Sequence, residues 1–133
     1  MDHAMSATIR MLIDRVVRGE RGNAFDQEAA LQYDALPLHH SWTGWVLLTV
    51  QGEVLEADEE SGEVSPVSEP NRTVLLVDGA ETYPELILLL PVRTPLSKDC
   101  TMCAGTGRMD PPGGKGRFWC GECRALGWVE VPP

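Results

Sequence analysis

The chain contains four cysteines, and all of them lie near its C-terminus in two Cys-x-x-Cys pairs. Two residues between paired thiolates let one tight turn present both sulfurs to a single ion. The 16 residues between the pairs are enough for a hairpin that brings the second turn back to the first. We therefore predict a closed, structural, tetrahedral Zn²⁺ site whose ligands are Cys100, Cys103, Cys120 and Cys123.

Other uses of four cysteines fit this sequence less well. The N-terminus has no apolar segment of the secretory type, so we expect reduced cysteines and a cytoplasmic protein rather than two disulfide bonds. A redox Cys-x-x-Cys motif needs one pair beside a strand and a helix, whereas both pairs here lie in glycine-rich segments. Iron stays a chemical alternative to zinc, because soft thiolates bind either metal in a tetrahedral site.

The residues after each pair repeat a glycine pattern. Residues 100 to 107 read Cys-Thr-Met-Cys-Ala-Gly-Thr-Gly, and residues 120 to 127 read Cys-Gly-Glu-Cys-Arg-Ala-Leu-Gly. The Cys-x-x-Cys-x-Gly-x-Gly unit resembles the cysteine-rich zinc module of DnaJ-type co-chaperones, which implies a pair of zinc knuckles in a zinc ribbon. The second unit has Ala125 at the first glycine position, so we expect a tighter or differently aimed turn there.

Glycine suits these positions for a physical reason. It adopts positive φ without strain, and it lets backbone N–H groups approach the sulfurs closely enough to stabilise thiolate charge. The resemblance covers only about residues 98 to 130. A DnaJ-type protein also has a helical domain with a His-Pro-Asp triplet, which this sequence lacks, so stimulation of a heat-shock ATPase is not implied.

The two parts of the chain differ in charge. Residues 98 to 133 carry five basic and four acidic residues, and residues 1 to 97 carry six basic and 16 acidic residues. We expect the basic residues of the tail to offset the negative zinc–thiolate cluster. A chain with a net charge of −9 repels phosphate, so a nucleic-acid partner is not favoured. We predict an acidic core domain over residues 1 to 97 and a zinc-ribbon appendage over residues 98 to 133.

Hydrophobic periodicity predicts that the core belongs to the α+β class. Apolar residues three and four apart between Ile9 and Val17 predict an amphipathic helix, and a second short helix is expected from Asp26 to Tyr33. An antiparallel meander of three strands is expected next. Its strands are Trp45 to Val50, Glu53 to Ala57 and Glu63 to Val67.

The segments after the meander are less uniform. Val74 to Val77 fits either a buried strand or the start of a helix interrupted at Gly79. Tyr83 to Leu90, with a proline in its first turn, predicts a short apolar helix. Met109 to Gly116, rich in glycine and proline, predicts a mobile tip of the zinc hairpin.

The sequence contains no recognisable catalytic constellation. Serine-hydrolase elbows, phosphate-binding loops and zinc-protease motifs are all missing, and four cysteine ligands leave a zinc ion no open position for activating water. His39 and His40 lie between Pro37 and Trp42, where we expect an exposed loop. We therefore expect no enzyme and no catalytic residue, and no apolar run is long enough for a membrane span.

Four tryptophans suggest packing or binding roles. We expect Trp45 in the core, and Trp119 and Trp128 packing the ribbon onto the core, with a partner-facing patch as the alternative. The order of helix, acidic meander and apolar helix, with Trp42 and Gly44 before the first strand, resembles the SUKH (Smi-like) family of bacterial immunity proteins. That resemblance implies binding to a toxin.

We expect a small non-enzymatic zinc-binding interaction or adaptor protein that uses an acidic surface to bind a protein partner, with an immunity-type role as one version. The alternative is a zinc-ribbon module that binds nucleic acid or unfolded polypeptide. The residues assigned to that alternative are Lys115, Arg117, Trp119 and Arg124. The sequence does not indicate an oligomeric state.

Overall fold

The structure is a computed structural model, which describes residues 3 to 109 and 118 to 131. Its class is α+β, as predicted. In chain order the elements are α1 (His3–Val17), α2 (Ala24–Tyr33), β1 (Leu36–Ser41), β2 (Gly44–Leu48), β3 (Val54–Asp58), β4 (Val64–Pro66), α3 (Asn71–Thr82), a 3-10 helix (Pro84–Leu89), β5 (Ser97–Asp99) and β6 (Trp128–Glu130).

The two N-terminal helices form for local reasons that the sequence shows. In α1, the residues at three- and four-residue spacing, Ile9, Leu12 and Val16, are fully buried. Asn23 caps α2, because its side chain accepts a hydrogen bond from the N–H of Asp26 and the Asp26 carboxylate accepts one from the N–H of Asn23. Both predicted helices are present.

The sheet contains the predicted meander and one further strand. Its four strands are antiparallel in the order β1-β2-β3-β4. The sequence did not predict β1, and His39 and His40 lie on this strand rather than in a loop, so that prediction was wrong. A proline and a bulge between Pro37 and His39 hide the strand pattern. The position of β1 at the edge of the sheet tolerates both.

Gly44 is required where β2 begins. Its φ is +155°, and a Cβ built there would lie 1.9 Å from the carbonyl oxygen of Ala57 on β3. No side chain fits in that space, so glycine allows the two strands to approach. Trp45 follows and is 8% exposed, which confirms it as a core residue.

The ambiguous segment Val74 to Val77 belongs to α3, which continues through Gly79 to Thr82. A Cβ at Gly79 would lie 3.0 Å from a methyl carbon of Leu38, so glycine lets β1 pack close against the helix. The predicted short helix that follows is present as a 3-10 helix that begins at Pro84, and its Leu86 is fully buried.

The main core lies between the helices and the sheet. It is formed by buried side chains of α1, β1, β2, β3, α3 and the 3-10 helix, including Leu12, Leu36, Leu48, Leu76 and Leu86. In the described ranges, no helix combines the length and the apolar character that crossing a bilayer requires. The ribbon forms a separate two-stranded sheet, in which β5 pairs with β6.

Candidate metal centre

Two tight turns bring the four cysteines together. The sulfurs of Cys100, Cys103, Cys120 and Cys123 all lie within 4.8 Å of one another. The Cys100 and Cys120 sulfurs are 3.9 Å apart, and the Cys103 and Cys123 sulfurs are 3.7 Å apart. All four residues are buried, with exposed fractions of 0 to 6%. The predicted ligands therefore form one compact cluster.

The cluster fits a tetrahedral metal ion. With metal–sulfur bonds of about 2.3 Å, tetrahedral geometry puts neighbouring sulfurs about 3.8 Å apart. Two distances between sulfurs of different pairs, 3.7 and 3.9 Å, match that value. Four sulfur donors without oxygen or nitrogen suit zinc or iron and do not suit magnesium or calcium.

Backbone amides donate hydrogen bonds to two of the sulfurs. The N–H of Gly107 lies 3.1 Å from the Cys103 sulfur, and the N–H of Gly127 lies 3.2 Å from the Cys123 sulfur. The sequence predicted such contacts from the glycine pattern. Each donor stabilises negative charge on a metal-bound thiolate.

The two knuckles have the same backbone conformation, although only the first matches the glycine pattern fully. Gly105 has a φ of +81°, and Ala125, at the equivalent position, has a φ of +66°. Their N–H groups donate equivalent hydrogen bonds to Cys100 O and Cys120 O, at 3.0 and 2.8 Å. The expectation of a differently aimed turn at Ala125 was therefore wrong, because alanine adopts the left-handed conformation here.

The knuckles are also joined to each other by reciprocal hydrogen bonds. Cys100 N donates to Gly127 O at 2.9 Å, and Cys120 N donates to Gly107 O at 2.8 Å. Each knuckle therefore positions the first ligand of the other. The hairpin between them is paired up to its described ends, since Met109 N donates to Phe118 O at 2.8 Å.

Hydrogen bonding and burial act in opposite directions on the thiols. Burial raises the pKa of Cys103, but the N–H of Gly107 and the neighbouring thiols outweigh this effect and lower the pKa to about 7. Burial dominates at Cys123 and raises its pKa to about 12. Four thiolates crowded into one buried cluster repel one another, so a divalent cation is needed to hold them together.

Among the described residues of the ribbon, three side chains form polar contacts with core residues at or near α3. Arg124 forms an ion pair with Glu69 at 3.2 Å, and Arg108 forms one with Glu81. In addition, Trp119 Nε1 donates to an oxygen of Asp78 at 3.3 Å. Sequence reasoning did not find these acceptors, because their separation from the ribbon along the chain leaves no local signal.

These contacts change the interpretation of the basic tail. Arg108 and Arg124, two of the residues expected to offset the cluster charge, are paired with carboxylates of the core. The Arg108 guanidinium also lies over the Trp119 ring, 5.0 Å from its centroid. Lys115, Arg117 and most of the predicted hairpin tip fall outside the described residues.

The other residues considered for chemistry do not converge. Across residues 3 to 109 and 118 to 131, the four cysteines are the only group of three or more metal-ligating side chains close enough to share an ion. His40 stacks on Trp45, with ring centroids 4.4 Å apart, and its Nε2 lies 2.7 Å from the Glu59 carboxylate. This histidine therefore contacts neighbouring strand and turn residues.

Comparison of the chain with protein-family profiles, with curated proteins and with solved structures finds no match. The resemblance of the ribbon to the DnaJ-type module therefore rests on the cysteine and glycine positions themselves. The faint resemblance to SUKH proteins gains no support.

Proposed function

We propose that this chain is a small, non-enzymatic zinc-binding interaction protein, in which one structural Zn²⁺ orders the C-terminal ribbon. The observation that carries the zinc assignment is the convergence of four buried sulfurs within 4.8 Å of one another. When bound, zinc supplies cross-linking of the two knuckles and charge balance for four thiolates.

The chain's own residues support a structural role for the metal. The Gly107 and Gly127 amides stabilise two thiolates, and the reciprocal backbone hydrogen bonds fix the knuckles against each other. A closed set of four sulfur ligands leaves no coordination position for a substrate or a reactive water. This donor set favours a structural role over catalysis.

The interaction role is supported by the surface of the acidic core. Trp42 is 96% exposed at the turn between β1 and β2. It lines a shallow surface cleft together with Asp58, Glu59 and Glu60. An exposed indole beside carboxylates suits a basic protein surface, through cation–π contact and charge steering. An immunity-type role would be one version of such binding.

Within the part of the chain that the structure describes, no observation favours the nucleic-acid alternative. Trp119 and Arg124, two of the four residues assigned to it, contact the carboxylates of Asp78 and Glu69 in the core. These contacts place negative charge beside the surface that would have to bind phosphate.

Affinity capture with the full tagged chain tests the interaction role. We expect a specific protein partner to be enriched at low salt and released at high salt. The Asp58→Asn, Glu59→Gln, Glu60→Gln triple variant should lose that partner, because it removes the steering charge. The variant Glu20→Gln, which removes one exposed carboxylate elsewhere, should retain it. Equal recovery of the partner by the triple variant and by the unaltered chain would contradict the proposed surface.

A further inference from the structure

A groove of roughly 370 Å³ lies where the 3-10 helix and the residues after it, Leu90 to Val92, meet the second zinc knuckle. All eight residues that line it are apolar. We propose that this groove binds a segment of a partner protein in which large apolar side chains stand beside lysine or arginine. The proposal rests on the proposed interaction role and adds to the Trp42 cleft a second binding surface, together with the chemistry of the segment that it binds.

The core provides one wall of the groove. Val77 and Leu90 are half-buried, whereas Ile87 and Val92 are 60% and 84% exposed. Exposed aliphatic side chains that together line a concave surface are typical of a docking site, whereas single exposed apolar side chains form no such concave surface.

The second zinc knuckle provides the other wall. Leu126 of this knuckle and Trp128, the first residue of β6, are half-buried and line the groove. Leu126 N donates to Cys123 O at 3.1 Å, so a metal ligand fixes the backbone of this wall. A partially exposed tryptophan next to aliphatic side chains has the character of an interface anchor.

A polar cleft adjoins the apolar groove and shares Pro91 and Trp128 with it. Glu122 and Glu130 line this cleft, and both are exposed. The cation of the cleft, Arg124, is paired with Glu69 at 3.2 Å. The cleft therefore presents negative charge beside an apolar surface.

This charge distribution identifies the occupant. A second copy of the chain would bring another net charge of −9 to an acidic rim, and the two copies would repel each other. A segment that carries lysine or arginine beside leucine-like side chains matches both halves of the surface. A basic, apolar polypeptide segment of another protein is therefore the occupant that the groove fits.

Because the wall formed by Leu126 and Trp128 comes soon after the ligand Cys123 in the chain, the groove depends on an ordered second knuckle. Removing the metal should release Leu126 and Trp128 from their positions and abolish binding. This links metal loading to partner binding.

Selection from a random, phage-displayed peptide library against the zinc-loaded full chain tests the proposal. The most enriched peptide, labelled with fluorescein, is then titrated with the chain and its variants by fluorescence anisotropy. We expect enriched peptides to combine apolar with basic residues. Ile87→Glu should weaken binding at least about tenfold, as for an anchor residue. Glu122→Gln with Glu130→Gln should weaken it about threefold and reduce its salt dependence. Chelation of zinc should abolish binding.

The matched control is Leu88→Glu, since Leu88 is 71% exposed beside Ile87 but does not line the groove. This variant should bind the peptide normally. Peptides that bind the Ile87→Glu variant equally well would overturn the groove and leave the interaction role intact. Failure to enrich any peptide would also overturn the groove, whereas the proposed function fails only if the salt-dependent capture described above fails too.

Discussion

The N–H of Cys120 donates to the carbonyl oxygen of Gly107, 2.8 Å away, and so ties the first ligand of one knuckle to the last residue of the other. The equivalent bond from Cys100 to Gly127 is 2.9 Å long. Two sequence units 20 residues apart thereby form one site with approximate internal symmetry.

Replacing Gly107 or Gly127 by alanine should destabilise the ribbon. A Cβ at Gly107 would lie 2.4 Å from Ala125 O, and one at Gly127 would lie 2.5 Å from Gly105 O. The left-handed backbone alone costs an alanine about 1 to 2 kcal/mol, and the contacts with backbone oxygens add to it. Competition for zinc with a chromophoric chelator should show weaker metal retention in both variants.

Gly121→Ala is the control for these substitutions, because a Cβ at Gly121 meets nothing within 4 Å. It should change stability by no more than about 0.5 kcal/mol. Equal zinc retention by Gly107→Ala and Gly121→Ala would contradict the described packing of the knuckles.

Trp119→Phe should destabilise the contact between ribbon and core. The substitution keeps an aromatic ring but removes the N–H that Asp78 accepts at 3.3 Å. We expect a loss of about 1 kcal/mol in the free energy of unfolding, measured by urea denaturation. Trp42→Phe, at a position 96% exposed, should have no measurable effect. A similar loss in both variants would show that Trp119 does not dock the ribbon.

The ligands of the site could be predicted because their spacing reflects local geometry. A Cys-x-x-Cys turn and its glycines depend on neighbouring residues, so the sequence predicted the sulfurs and the N–H donors. The partners of the ribbon, Glu69, Asp78 and Glu81, depend on tertiary packing and were not predictable. The similar backbone at Ala125 was missed because the hydrogen bond from Ala125 N to Cys120 O, within the second knuckle, stabilises positive φ there.

The fold was predictable to a similar extent. Periodicity predicted α1, and turn residues predicted the meander. The edge strand β1 was missed because Pro37 and paired histidines are typical of loops. The helical state of Val74 to Val77 had a signal in Pro70, which precedes the first helical residue Asn71.

Gly44→Ala should weaken the hairpin of β2 and β3 strongly. The added Cβ would lie 1.9 Å from Ala57 O, so the strands must separate locally. We expect a loss of more than about 2 kcal/mol in thermal or urea unfolding. Gly62→Ala tests backbone strain alone, since its φ is +74° and nothing lies within 4 Å of an added Cβ. Its loss should be clearly smaller, and equal losses would contradict the close approach at Gly44.

Glu85 should contribute to stability in a pH-dependent way. Its own backbone N–H and the Arg21 guanidinium, 2.8 Å away, lower the pKa of this carboxyl although burial raises it. A carboxyl whose pKa is lower in the folded state stabilises the protein at pH values above its unfolded-state pKa of about 4.3. This stabilisation is lost as the pH falls through the folded-state pKa.

Glu85→Gln should therefore reduce stability at pH 7 by on the order of 0.5 kcal/mol, with a difference from the unaltered chain that shrinks toward pH 3. The stability difference between Arg21→Gln and the unaltered chain should also shrink toward pH 3, because this variant removes the guanidinium partner of Glu85. Urea denaturation at several pH values measures both variants. A difference that stays constant between pH 7 and pH 3 would contradict the assignment.

Elemental analysis of the purified chain tests the central claim most directly, together with unfolding of the ribbon by a chelator. The account predicts one zinc ion per chain, lost when Cys103 or Cys123 is replaced by serine, with residues 98 to 109 and 118 to 131 losing amide protection when zinc is removed. A chain that contains no metal yet keeps a protected ribbon, or one whose four sulfurs are joined in disulfide bonds, would contradict it.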